Sequence, residues 1–180
     1  MKIKQNLNGY ILYLSISLTI VSLCISNQEV LGVRDTFSAD GVISSIVFGM
    51  PPSTSTVNMS TVQKFILSGY WQLSTEKGKV SNFTSEFYTG PVSGANNHTH
   101  QLSNLRLVSD VPIQLSADGS TKIIGLLNVG TNGKNAWNEV HTIITISNGR
   151  TITFALADND TQRHFMNQPI YGLVKHIKMS

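Results

Sequence analysis

The chain has 180 residues, of which 41% are hydrophobic and only 13% charged, with a formal net charge of +3. That length suits a single domain with a full core, and that balance excludes both a disordered chain and a strongly basic nucleic-acid coat. Twenty-one serines, sixteen threonines and fifteen asparagines supply the polarity that charge does not, and these residue types suit strands and turns.

At the N-terminus, Lys2 and Lys4 precede an uncharged, mostly apolar run from Tyr10 to Ile25. A basic start followed by an apolar stretch of this length predicts an export signal over residues 1–32, with Val30 and Gly32 at the small-residue positions and cleavage after Gly32. Cleavage after Ser26 is the alternative, and an uncleaved membrane anchor is the rival reading. Cys24 is a poor lipidation site because Leu23 stands where a small residue is wanted. Residues 33–180 then form the folded domain, with eleven Lys and Arg against nine Asp and Glu, a net charge of +2. Single charges scattered in this way make no basic face, so the sequence predicts no nucleic-acid partner, and membrane contact only through the N-terminal segment if it stays attached. The domain has no cysteine, and burial alone must hold it. Sequons at Asn58, Asn82, Asn97 and Asn159 permit glycosylation of an exported chain.

Along the domain, residues 36–48 are expected to supply a first strand, and Gly49 to Ser60, with Pro51 and Pro52, a loop. Phe65, Leu67, Gly69, Trp71 and Leu73 alternate with polar residues in the clearest strand signal of the chain. Lys77-Gly78 turns this strand into a run in which Phe83 and Phe87 share a face opposite Glu86 and Tyr88. Further strands are expected at Leu102–Val108, Val111–Leu115, Lys122–Val129, Glu139–Ile146, Thr151–Leu156 and Ile170–Ile177. The turns between them carry Asp118-Gly119, Asn132-Gly133 and Asn148-Gly149, pairs that tolerate the positive φ of a tight hairpin. The fold class is therefore all-β, a single antiparallel domain of about eight to ten short strands. Sequential hairpins favour a meander β-barrel, with a two-sheet β-sandwich as the alternative.

The candidate chemistry rests on histidines. His98 and His100, two apart in an extended segment, present both imidazoles on one face, a spacing that suits Zn or Cu. A third ligand must come from elsewhere, and His141 and His164 are the candidates. If Asn148-Gly149 is a two-residue loop, Ser147 faces Arg150, Ile143 faces Phe154 and His141 faces Leu156. His141 then points inward with Ile143, Ile152 and Phe154. Glu139 falls on that same face, where it can orient a ligated imidazole from behind. His164 lies in a connection able to cover one end of a barrel. Against this stands the plain reading, in which His-x-His is a polar turn and an inward His141 bonds a backbone carbonyl. Asn104 and Leu105 stand where the cupin pattern would have a glutamate. Tyr70, Trp71 and Trp137 are candidate linings of a ligand pocket, with a core role as the alternative. Nucleophile elbows, phosphate loops and H-E-x-x-H are absent, and Glu86 and Glu139 are isolated carboxylates, so no catalytic residue is assigned.

The succession Ser68-Gly69-Tyr70-Trp71, His98-Thr99-His100, Ala136-Trp137, His164-Phe165 and Gln168-Pro169-Ile170-Tyr171-Gly172 resembles a group of small exported all-β proteins of ammonia-oxidising archaea. The resemblance spans nearly all of residues 33–180. It implies a cell-surface or extracytoplasmic protein and adds no catalytic residue. The expected function is an exported binding protein for a small ligand or a metal ion, Cu or Zn. A metal-dependent isomerase or oxidoreductase and a structural cell-surface protein are the alternatives.

Overall fold

The structure, a computed structural model, describes residues 32–49, 62–94 and 97–179. The compact unit is Val33–Ser180. The expected export signal and most of the proline-containing loop after Gly49 lie outside the described residues.

Eight strands follow one another: β1 (Phe37–Gly49), β2 (Gln63–Glu76), β3 (Lys79–Pro91), β4 (His98–Leu107), β5 (Thr121–Thr131), β6 (Lys134–Ser147), β7 (Thr151–Leu156) and β8 (Ile170–Met179). Each pairs antiparallel with the next, and β8 returns to β1, so the sheet is a closed meander barrel. The sandwich alternative falls, because β1 is bonded on one side to β2 and on the other to β8.

Alternation explains the wall. Leu67, Trp71 and Leu73 on β2, Ile123, Leu127 and Val129 on β5, and Ile152, Phe154 and Leu156 on β7 point inward and are buried. Their neighbours Ser68, Gln72, Lys122 and Thr151 face outward. Each large apolar side chain so buried contributes about 1.5–3 kcal/mol. The middle of the barrel is filled, with Phe154 packed edge-on against Trp71 at 6.5 Å and tilted against Phe83 at 6.2 Å between ring centres. At the closing seam, the Trp71 indole Nε1–H donates across β1 to the Leu173 carbonyl at 3.3 Å. Gly41 makes this possible, since a Cβ there would meet that carbonyl oxygen at 1.9 Å.

Two expectations are corrected. Val111–Leu115 is not a strand of the sheet; it belongs to the connection between β4 and β5, where only Leu115 bridges to Arg34. Pro112 has no N–H to give a ladder. Ile113 and Leu115 are nevertheless buried and close the end of the barrel at which β2 turns into β3.

The second correction concerns the β6–β7 hairpin. Asn148 and Gly149 do adopt positive φ, at 51° and 61°, and Arg150 N–H donates to the Ser147 carbonyl at 3.0 Å. The ladder beyond that turn begins with Ser147 opposite Thr151, leaving Arg150 as an extra residue. The register is thus one residue away from the expected one, and a one-residue slip turns every side chain to the other face. Ile144 and Thr142, not Ile143 and His141, face Phe154 and Leu156.

Candidate metal centre

β4 enters the barrel at His98. Two-residue alternation sends His98 and His100 to the interior face, opposite Thr89 and Phe87 of β3. His100 is completely buried, with its ring 5.3 Å from Phe87 and 5.1 Å from Phe165. The connection between β7 and β8 then folds over this end of the barrel and delivers His164 from above.

That cap is held by its own polar contacts. The Thr161 hydroxyl, fully buried, donates to the carbonyls of Ala157 at 3.2 Å and Asp158 at 3.3 Å. The Asp158 carboxylate accepts from Asn167 N–H at 2.9 Å. The Gln168 side chain exchanges two hydrogen bonds with the backbone of Phe48, accepting at 2.9 Å and donating at 2.7 Å. It thereby extends the β1 edge beyond the last β8 pair. Four residues other than glycine, Gln162, Arg163, Met166 and Asn167, take positive φ between 51° and 64°. Phe165 plugs the core from this cap, and the Trp137 ring supports His164 at 5.1 Å.

The three imidazoles converge. Ring centres are 4.7 Å apart for His98 and His100, 4.9 Å for His100 and His164, and 5.5 Å for His98 and His164. One nitrogen from each lies within 4.8 Å of the other two, and Nε2 of His100 and Nε2 of His164 are 3.1 Å apart. Among the described residues no other three His, Cys, Asp or Glu side chains come this close.

His100 is already oriented. Its Nδ1 lies 3.3 Å from the Gly130 carbonyl and 3.2 Å from the Thr131 hydroxyl. A carbonyl only accepts, so Nδ1 carries the proton and the Nε2 lone pair faces His164. His164 Nε2–H is then the donor to that lone pair. With the proton moved to its Nδ1, His164 would offer a second lone pair to the same point in space.

Burial, followed by His164 and His98 nearby, pushes the His100 pKa down to about 3. Burial also lowers that of His164, with His98 adding to the effect. Both rings are therefore neutral at pH 7, the protonation state a metal ion requires.

The remaining sequence candidates lie elsewhere. His141 is on the outer wall, where its Nδ1 meets Asp160 Oδ2 at 2.8 Å, and the register slip described above is the reason. Glu139 is exposed and paired with Arg106 instead of standing behind an imidazole. It sits in an irregular stretch of β6 with φ of 56°, its N–H held by the Asn128 side chain at 3.2 Å, so strict alternation does not apply there.

The cavity beside the histidines has a volume of about 210 Å³ and is lined by Val47, Phe65, Leu67, Thr89 and Phe165 together with the three imidazoles, Arg163 and Met166. None of the three expected lining residues is among these. Tyr70 points outward and donates to Glu86 at 2.8 Å, Trp71 is core, and Trp137 stands behind the site, against His164 and Phe165. Thr89 went unnoticed in the sequence, although continuing the inward phase of Phe83 and Phe87 by one step reaches it. Comparison of the chain with protein-family models, curated proteins and solved structures gives no match.

Proposed function

We propose that this protein binds a transition-metal ion, Zn²⁺ or Cu²⁺, through His98, His100 and His164. The observation that carries the reading is the pair of Nε2 atoms 3.1 Å apart, one of them on a buried ring whose other nitrogen is tied to the Gly130 carbonyl. Bonds of about 2.0–2.1 Å to a tetrahedral ion put ligand nitrogens about 3.3 Å from one another. The His100 and His164 pair is already near that separation, and His98 holds a nitrogen within 4.8 Å of both. A backbone carbonyl behind a ligating imidazole also fixes its tautomer and raises its basicity. Neutral nitrogen ligands accept either ion, and Cu²⁺ is the tighter binder where the two compete.

The test is metal analysis and calorimetric titration of protein purified without an affinity tag. We expect one ion per chain, lost in a His98→Ala, His100→Ala variant. Equal metal uptake by that variant would overturn the reading.

The same proposal places the barrel outside the cytoplasm. Lys2, Lys4 and the apolar run Tyr10–Ile25 support export. Cell fractionation and N-terminal sequencing of the chain from its host check this, and a cytoplasmic chain beginning at Met1 would count against it.

A further inference from the structure

We infer that the cavity at the histidine end is the seat of a small organic anion, a short-chain carboxylate, whose oxygen takes the fourth position on the bound ion. The inference rests on the metal-centre reading above and extends it to a ligand class.

Three protein nitrogens leave a tetrahedral ion one position short, and all three imidazoles line the same cavity. An ion held by three neutral rings keeps its full double positive charge. Among the described residues no carboxylate lines the cavity to offset it, and the one charged residue in that lining is Arg163, a further cation. Arg163 Nε lies 3.5 Å from Asp158 Oδ2, so its charge is partly spent on the cap. An anion is the complementary occupant.

Thr89 supplies the second, independent observation. It is only 7% exposed, lines the cavity, and its hydroxyl has no hydrogen-bond partner among the described residues. Buried hydroxyls are normally satisfied, and one that lines a cavity has room there for the acceptor of an occupant. Thr89 stands in register with His98 on one side and Leu67 on the other, at the boundary between the metal-binding wall and the apolar one. A carboxylate that gave one oxygen to the ion could accept the Thr89 hydroxyl on the other. Its hydrocarbon tail would then lie against Val47, Phe65 and Leu67. An apolar cavity of about 150 Å³ holds benzene, so about 210 Å³ admits a tail of a few carbons and no long acyl chain.

The test loads the full chain with Co²⁺, whose visible spectrum reports its ligands, and titrates butyrate, acetate and 1-butanol. Butyrate should shift the spectrum and saturate, with an affinity about tenfold above that of acetate because two more methylenes are buried. 1-Butanol should leave the spectrum unchanged. Thr89→Val should weaken butyrate about tenfold while Co²⁺ affinity is unaltered, and Thr89→Ser, which keeps the hydroxyl, should retain binding. Co²⁺ binding with no spectral response to butyrate, equal affinity for acetate and butyrate, or a folded Thr89→Val with unchanged affinity would each overturn the anion site alone. Failure of the chain to take up Co²⁺, read before any carboxylate is added, would remove the metal centre and the anion site together.

Discussion

Two sets of histidines share this barrel and sit in opposite surroundings. His141 and His176 lie on the outer wall, each within 3.0 Å of an aspartate oxygen, Asp160 for the first and Asp40 for the second. His98, His100 and His164 meet at one end of the barrel with one another, with aromatic rings and with a backbone carbonyl. Burial keeps the His100 and His164 rings as the free base. The difference teaches that the side of the wall, not the residue type, decides which histidine meets a surface aspartate and which joins the cluster proposed to hold a metal.

Breaking the inner set should have the largest effect. Removing a ligand outright ought to cost more than the roughly 10–100-fold lost when a supporting contact is removed. His100→Ala is therefore expected to weaken Zn²⁺ binding by more than about 100-fold, read by calorimetry, with circular dichroism confirming the barrel.

Acid sharpens the same contrast. The unfolded chain takes up a proton on His100 near the ordinary histidine value of about 6.5, while the folded chain does so only near 3. Between those two pH values the unfolded state holds more protons, so stability of the metal-free protein falls as pH is lowered through that window. The loss from this group is on the order of a few kcal/mol. Melting temperature measured from pH 7 to pH 4 checks it, and His100→Phe should flatten the profile.

Loosening the cap should matter less. Gln168→Ala gives up two hydrogen bonds to Phe48 and is expected to lower stability by about 1–3 kcal/mol in urea titration, with weaker metal binding as His164 loses its support. The smallest effect belongs to the outer wall. His141→Ala removes an exposed ion pair, should change stability by no more than about 1 kcal/mol, and should leave metal uptake untouched. Lost metal binding in that variant would erase the distinction between the two sets.

Much of the architecture was legible because hairpin turns and period-2 alternation are local. Lys77-Gly78, the Phe65 to Leu73 run, and the Phe83 and Phe87 face all appear where the residues place them. The His98 and His100 pairing on one face was legible for the same reason. What failed was register. Arg150 adds one residue after a turn of the expected shape, and His141 moves from inside to outside. The irregular stretch at Glu139 and the proline in Val111–Leu115 defeated alternation in the same way. The meeting of His164 with β4 joins residues 64 apart in the chain, and no local pattern encodes such a contact.

The left-handed backbone of the cap has a further consequence. Side chains at Gln162, Arg163 and Met166 make that shape cost about 1–2 kcal/mol each relative to an ordinary turn. Glycine at these sites would relieve the tension but would also let the segment wander between many shapes, spreading His164 over positions where its Nε2 no longer meets that of His100. The barrel therefore trades thermal robustness for aim, and a more heat-resistant variant made by easing this bend should be a poorer metal trap.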